Sequence, residues 1–236
     1  MMGTAPLIGI VCGLESERQA LGPQILDDPA VVVTASGARP HAAEAAARAM
    51  AADGVRLLVS WGLAGGLDAR HDTGDIVLPK AVVGEDGGRW EAAPLPLPPS
   101  TPNGERIAQT PRLVGLESIV FNPQEKRSLA VASGASLADM ESHRVARAAE
   151  AHGIPLVVVR AVGDASGRAL PRLAATAIGP DGHPHIGSVL LGLLRWPSDL
   201  PALIHAARDS ARAHASLSAC APVLAPALRR LAEDGG

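Results

Sequence analysis

Short runs of β-branched residues that alternate with helical patterns are the feature that most restricts the fold of this chain. The clearest strand pattern is "IPLVVVRAVG" at 154–163, and the clearest helical pattern is the alanine-rich stretch at 41–54, which ends at Gly54. Strands that alternate with helices form a parallel or mixed sheet covered by helices on both faces. We therefore predict one α/β domain over residues 1–236, a three-layer sandwich with a mixed, mostly parallel sheet.

The rest of the pattern continues this alternation with weaker signals. Residues 84–112 are rich in glycine and proline and are predicted to form a loop. The last helical pattern contains Pro222 and Pro226, which predict interruptions of the helix. Further strands are predicted at 7–14, 30–36, 55–62, 74–83, 112–121 and 128–138, and further helices at 140–152 and 199–234.

Charge and composition exclude several classes of function. The net charge is −3, with one Phe, three Trp and no Tyr, so the chain lacks the basic and stacking residues of a nucleic-acid-binding protein. Cys12 and Cys220 make neither a disulfide framework nor a CxxC site, which favours reduced thiols in a cytoplasmic protein. The apolar runs at 7–14 and 186–196 are too short to span a bilayer, and the first residues lack the basic region of a signal peptide.

Acidic residues and a glycine-rich segment follow several of the predicted strands. Glu17 follows the first strand, "WGLAGGLD" at 61–68 closes the third, and Asp139, Glu141 and Asp164 follow later ones. In open α/β sheets, ligands bind at the carboxyl ends of the strands. We therefore predict that these residues line one cleft at one edge of the sheet.

Each signal also has an ordinary structural explanation. Glu17 is typical of the first turn of a helix, and for this stretch alone that explanation is favoured. Asp139 would cap the following helix, His143 on that helix is more typical of a structural residue than of a ligand, and Asp164 would begin an Asx turn. The glycine-rich segment would form a tight turn, since it is neither GxGxxG nor a P-loop. The spacing of His, Asp and Glu predicts no metal site, and no GxSxG motif is present.

The order of these motifs resembles a known superfamily, the family 1 nucleoside phosphorylases. "IGIVCGLESE" at 8–17 resembles the first strand and acidic turn of its methylthioadenosine/S-adenosylhomocysteine nucleosidases. "SWGLAGGLDARHDTGDIVLPKAV" at 60–82 resembles its glycine-rich turn and the next strand. The stretch from "ADMESH" to "RAVGDAS", residues 138–166, resembles its ribose-binding methionine–glutamate pair and catalytic aspartate strand, and is the most specific of the three.

A closer resemblance is to the hopanoid-biosynthesis-associated phosphorylase branch. It is carried by "DMESH", by "GDASGRALP" at 163–171 and by the tail that begins "IGPDGHPHIGSVLLGLLRW" at residue 178. That branch is thought to remove adenine from adenosylhopane, a lipid nucleoside. The resemblance therefore implies an adenine nucleoside with a lipid-linked 5′ substituent as the substrate.

The resemblance implies a role for each matching residue. Asp164 would protonate N7 of adenine, Glu141 would bind the ribose hydroxyls, and Glu17 would orient and deprotonate the attacking water. The remaining residues expected to contact the substrate are Gly62, Ala64 and Gly65 in the glycine-rich segment, Met140 on the sugar, and Val120 and Phe121 beside the base.

The sequence departs from the phosphorylase pattern in two places: at the residues that would hold phosphate, and in the region that would cover the 5′ group of the substrate. Family phosphorylases hold phosphate with an arginine after the first strand and a hydroxyl in the glycine-rich turn, whereas this chain has Leu63 there and Glu17 beside Arg18. We expect hydrolysis ahead of phosphorolysis, with phosphate retained as a candidate co-substrate and no other cofactor. The region 113–139 is short for this family, which predicts an open 5′ side suited to a bulky apolar group.

Two other classes of function remain open. A methylthioadenosine/S-adenosylhomocysteine-type nucleosidase would share every residue named above, and so would a catalytically idle nucleoside-binding protein on the same fold. Retention of Glu17, Glu141 and Asp164 together favours an enzyme over an idle protein. By resemblance we expect a homo-oligomer in the cytoplasm, peripheral to the inner membrane if residues 190–201 contact lipid; an ordinary core helix is an equally good interpretation of that segment.

Overall fold

The computed structural model describes residues 7–120, 122–169, 196 and 199–234. In these residues the strands are β1 Ile8–Cys12, β2 Val31–Ala35, β3 Leu57–Gly66, β4 Ile76–Pro79, β5 Ala81–Gly84, β6 Arg89–Glu91, β7 Ile107–Thr110, β8 Leu113–Gly115, β9 Leu137–Asp139 and β10 Leu156–Asp164. The helices are α1 Glu15–Gln19, α2 Pro23–Leu26, α3 Pro40–Ala52, α4 Pro123–Ser133, α5 Ser142–His152 and α6 Leu200–Asp234.

Strand β3 is the centre of the sheet. It pairs in parallel with β1 on one side and with β10 on the other, and its last residues pair antiparallel with β9. Beyond β1 lies β2; beyond β10 lie β4 and β7; beyond β9 lie β8, β5 and β6. Only β10–β4, β3–β9 and β5–β6 are antiparallel among the described pairings, so the prediction of a mixed, mostly parallel sheet is confirmed.

Helices cover both faces of the sheet and complete the three layers. One face packs against α2 and α6, in a core that includes Ile25, Leu217 and Leu224. The other face packs against α3 and α5, where Met50 and Val145 are buried. This arrangement leaves the carboxyl ends of β1, β3 and β10 at one edge of the sheet, next to each other.

The strongest sequence patterns correspond to the observed elements. The predicted strands at 7–14, 30–36 and 154–163 are β1, β2 and β10, and the predicted helices at 41–54 and 140–152 are α3 and α5. Helix α5 ends before Gly153, which has the left-handed backbone conformation of a C-terminal cap, with φ 66°.

Several weaker predictions are wrong. The predicted loop at 84–112 contains β6 and β7, the single strand predicted at 74–83 is two strands, and most of the strand predicted at 128–138 is the end of α4. The glycine-rich segment is the last part of β3 and not a tight turn. Helix α6 continues through Pro222 and Pro226, because the residues beside them, including Ala221 and Leu224, are buried against the sheet.

The apolar stretch 186–196 lies outside the described residues except for Trp196, which is 42% exposed. Within the described ranges, no helix is both long and apolar enough to cross a membrane.

Candidate active site

The carboxylate of Glu17 is held by backbone groups from two neighbouring strand ends. Its Oε2 accepts hydrogen bonds from the N–H groups of Gly13 (2.8 Å) and Leu14 (2.9 Å), just after β1. Its Oε1 accepts from the N–H of Leu63 (2.8 Å), in β3. The side chain is buried, although it begins in the first turn of α1. The bond from Leu14 is that of a capping box, with Glu17 at the third position of α1, so the structural explanation of Glu17 also holds. The bond from Leu63 goes beyond a helix cap, because it ties the same carboxylate to β3.

Two glycines make room for this carboxylate. A methyl group placed on Gly62 would lie 2.6 Å from Oε2 of Glu17, which is closer than atoms can approach. A methyl group on Gly13 would lie 3.1 Å from the same oxygen and 3.0 Å from Oε1 of Glu141. The carboxylates of Glu17 and Glu141 therefore both lie close to Gly13, at the end of β1.

Asp139 and Ser142, which flank Glu141 along the chain, belong to a buried ionic network. Arg160 of β10 donates to Asp139 of β9 (Nε–Oδ2 2.7 Å) and to Ser60 of β3 (Nη2–Oγ 2.6 Å). Ser142 contacts both Asp139 and Arg160 through its hydroxyl. The predicted N-cap is therefore corrected: Glu141 occupies the N-cap position of α5, while Asp139 accepts from the N–H of Ser142 (3.2 Å) and pairs with Arg160.

Burial raises the pKa of Glu141 to about 8, and the neighbouring carboxylates of Asp139 and Glu17 add to the effect. Arg160 acts in the opposite direction without cancelling it. Glu141 therefore holds a proton at neutral pH in the unliganded protein. A positive charge next to it would favour the ionised carboxylate.

Asp164 lies at the end of β10 and forms an ion pair with Lys126 of α4. Lys126 Nζ also donates to the carbonyl oxygen of Ala165 (3.1 Å). Burial raises the pKa of Asp164, while the Lys126 charge opposes that rise. A methyl group placed on Gly65 would lie 3.3 Å from Oδ1 of Asp164, so this carboxylate lies over the last residues of β3.

The three carboxylates follow the direction of β3. Glu17 lies against Gly62, and Asp164 is the register partner of Gly65, three residues further along the strand. Three residues of a strand span about 10 Å. A site with carboxylates at both ends of such a span matches the length of a nucleoside.

The other predicted substrate contacts are placed as follows. Met140 is half-buried and joins β9 to Glu141. Ala64 is buried in the core on the α3 and α5 face, so its backbone is the part available to a ligand. Val120 packs with Leu67 and Ala138 near the end of β3. Phe121 lies outside the described residues.

Sequence reasoning did not find Lys126, Arg160 or Ser60. Arg160 is fully buried inside the strand pattern "LVVVRAVG", and a charged residue in the middle of such a run is the signal that it has a buried partner. Lys126 carries no such signal, because it lies in a polar stretch, "NPQEKR", that is typical of an exposed helix.

A cavity of about 360 Å³ lies beside Asp164, and Arg168, His205 and Asp209 also contribute to its wall. Arg168 pairs with Asp209 (2.8 Å). Arg18 pairs with Glu15 (2.8 Å) on α1. The described residues hold no group of three or more His, Cys, Asp or Glu side chains that would bind a metal ion.

Comparison with known proteins gives the family and the fold. The sequence model of the phosphorylase superfamily matches residues 24–177. Among solved structures, a variant of Helicobacter pylori 5′-methylthioadenosine/S-adenosylhomocysteine nucleosidase with 5′-methylthioadenosine in its active site aligns with a TM-score of 0.63 and 14% identity, over 94% of this chain and 99% of that chain. Futalosine hydrolase of the same organism aligns with a TM-score of 0.62 and 13% identity, over 98% of both chains. No curated protein is similar to the chain in sequence.

Proposed function

The chain belongs to the phosphorylase superfamily, and on this premise we propose that it cleaves the N-ribosidic bond of an adenine nucleoside and releases adenine. The observation that carries the proposal is the joint placement of Glu17, Glu141 and Asp164 along the end of β3. A helix cap or an Asx turn would explain each carboxylate alone. It would not explain why all three lie at one edge of the sheet, with Glu17 and Glu141 buried, Asp164 half-buried, and glycines that leave room for them.

The reaction makes a different demand on each end of the site. Adenine leaves only when its N7 atom gains a proton. The base end of the site, at Asp164, must therefore supply that proton. As the C1′–N9 bond breaks, the ribose becomes positively charged and resembles an oxocarbenium ion. Glu141 is neutral beforehand; as the charge develops, the cation favours its ionised form, so Glu141 releases its proton to water and becomes a stronger hydrogen-bond acceptor for the ribose hydroxyls.

Water is the nucleophile in this proposal. The Glu17 carboxylate already accepts three backbone N–H groups at the end of β1 and in β3, which are the donors that an anion at this place would need. Glu141 also lies close to Gly13. Phosphate would meet the Glu17 carboxylate, which already takes these backbone donors, whereas water can donate its proton to Glu17. These contacts favour hydrolysis over phosphorolysis.

For the substrate, we propose adenosylhopane, and a methylthioadenosine/S-adenosylhomocysteine-type substrate is the second candidate. The first rests on the resemblance of the motifs at 138–171 and of the tail to the hopanoid-associated branch. The second is supported by the likeness of the fold to the nucleosidases. A lipid-linked substrate would also account for peripheral contact with a membrane by a cytoplasmic protein. A homo-oligomer remains our expectation, and light scattering would test it.

The experiment is direct comparison of adenosylhopane with 5′-methylthioadenosine under the same conditions, with adenine quantified by chromatography. Faster release from adenosylhopane supports the lipid substrate, and faster release from 5′-methylthioadenosine supports the second candidate. An idle nucleoside-binding protein would bind both and release adenine from neither. Glu91→Gln, an exposed glutamate paired with Arg89, is the control for loss of a carboxylate away from the site.

A further inference from the structure

Lys126 is a buried ammonium group that the proposed reaction has not yet used. Its side chain is 2% exposed, yet it lies in the first turn of α4. That turn is fixed at its start, because the side chain of Asn122 accepts from the N–H of Glu125 (2.8 Å) and Pro123 occupies the first helical position. A lysine is almost never fully buried without a partner, and here the partner is Asp164.

Within the described residues, one donor of Lys126 and one acceptor of Asp164 have no hydrogen-bond partner. An ammonium group has three N–H donors. Lys126 donates two hydrogen bonds, one to Oδ2 of Asp164 and one to the carbonyl oxygen of Ala165. Among the described residues nothing accepts from the third. Asp164 Oδ1 likewise has no hydrogen-bond donor in the described part of the chain, and it lies over Gly65, on the side of the site.

An unused donor beside an unused acceptor complements one edge of adenine. The edge that carries N7 presents an acceptor at N7 and a donor at the 6-amino group. Lys126 can donate to N7, and the ionised carboxylate of Asp164 can accept from the amino group. A 6-oxopurine presents two acceptors on the same edge, so its oxygen would face Asp164 and be repelled.

We propose that Lys126 and Asp164 together recognise the edge of adenine that carries N7 and the 6-amino group, and that Lys126 supplies the proton that N7 receives. This inference rests on the proposed function. It differs from the first assignment in one respect: Lys126, and not Asp164, gives the proton to N7. Lys126 Nζ gives a proton to N7 as the C1′–N9 bond breaks, and the bonding electron pair passes to the base, which leaves neutral. Water forms the new bond to C1′ and passes a proton to Glu17. Solvent returns that proton from Glu17 to Lys126 after the products leave.

The alternative is that substrate displaces Lys126 and meets Asp164 alone. The burial of Lys126 opposes this alternative, because an ammonium group moved away from Asp164 within the same site would be buried without a counter-ion. The other charges near Asp164 do not replace its counter-ion. Asp209 is negative and adds to the raised pKa of Asp164, and Arg168 is paired with Asp209.

The test separates loss of the acid from loss of structure by changing the leaving group. Lys126→Met and the parent are assayed on 5′-methylthioadenosine and on p-nitrophenyl β-D-ribofuranoside, whose nitrophenolate leaves without a proton. We expect Lys126→Met to lose about 10²–10⁴-fold in turnover on the adenine nucleoside, the usual contribution of a general acid, and to remain close to the parent on the nitrophenyl riboside. Lys80→Met, at an exposed lysine, is the matched control and should leave both rates unchanged.

Three outcomes would overturn the inference. Equal rates of parent and Lys126→Met on the adenine nucleoside would show that Lys126 supplies no proton. Equal losses on both substrates would show that Lys126 only supports the fold of the site. If Lys126→Met binds free adenine with the same affinity as the parent, measured by calorimetry, Lys126 does not contribute to recognition of the base.

The same measurements distinguish failure of the proposed function. A parent protein that binds adenine through Lys126 and cleaves no nucleoside would support recognition of the base, and would overturn both the proton transfer and the enzymatic function. A parent that cleaves 5′-methylthioadenosine at the same rate with and without Lys126 would keep the enzymatic function and overturn this inference alone.

Discussion

Replacement of Glu141 by glutamine should stabilise the folded protein, and the gain should grow as the pH rises. Burial and the carboxylates of Asp139 and Glu17 raise the pKa of Glu141 from 4.5 to about 8. The folded protein therefore keeps a proton on Glu141 at pH values where the unfolded chain has released it. The stability that this proton represents is fully present below pH 4.5 and is lost as the pH rises toward about 8.

The size of the effect follows from the one proton involved. Within the window between the two pKa values, the free energy of unfolding falls by about 1.4 kcal/mol for each pH unit. Between about pH 5.5 and 7.5, the parent should therefore lose about 3 kcal/mol relative to Glu141→Gln, which has no titrating group at this position. Burial of the carboxyl group is the main physical cause, and repulsion from the carboxylates of Asp139 and Glu17 adds to it.

The assay is urea denaturation of the parent and of Glu141→Gln at several pH values across this range. Glu91→Gln, at an exposed carboxylate paired with Arg89, is the control, and its difference from the parent should not follow the same slope. A parallel pH dependence in the parent and in Glu141→Gln would refute the reasoning. It would show that Glu141 is ionised in the folded protein at the same pH as in the unfolded chain.

Three further changes test other parts of the site. Asp164→Asn should lower turnover on adenine nucleosides, because Asp164 holds Lys126 and accepts from the 6-amino group of the base, and it should also lower the stability of the protein, because buried Lys126 loses its counter-ion; near-parental rates would remove Asp164 from the mechanism. Gly62→Ala should displace Glu17, since the added methyl would lie 2.6 Å from its Oε2, and adenine release should fall sharply; an unchanged rate would contradict the placement of Glu17. If the segment around Trp196 contacts lipid, the parent should co-sediment with liposomes at low salt and Trp196→Ala should bind less; no binding by the parent would remove the membrane contact.

Local pattern was sufficient for the elements whose own residues determine them. Strand β10 and helix α5 were predicted because a β-branched run and an amphipathic helix ending at a glycine are strong signals without any tertiary contact. The joint placement of Glu17 and Asp164 was also predictable, since the carboxyl ends of neighbouring parallel strands meet at one edge of a sheet.

Elements decided by tertiary contacts were not predictable in this way. The stretch "SLAVASGASLA" is apolar enough for a strand, yet its first half completes α4, whose start is set by Asn122 and Pro123 upstream. The prolines of α6 remain in a continuous helix because packing against the sheet offsets the missing hydrogen bonds. The Lys126–Asp164 pair joins residues 38 positions apart, and no local pattern signals it.

The most direct test of the proposed hydrolysis is adenine release by the parent in phosphate-free buffer, with the sugar product identified. We predict that adenine appears together with a free sugar, that added phosphate does not raise the rate, and that Glu17→Ala abolishes release because water loses its base. A rate that rises and saturates with phosphate, with a sugar 1-phosphate as the product, would contradict the assignment of water as the nucleophile. Absence of adenine with and without phosphate would contradict cleavage of the N-ribosidic bond itself.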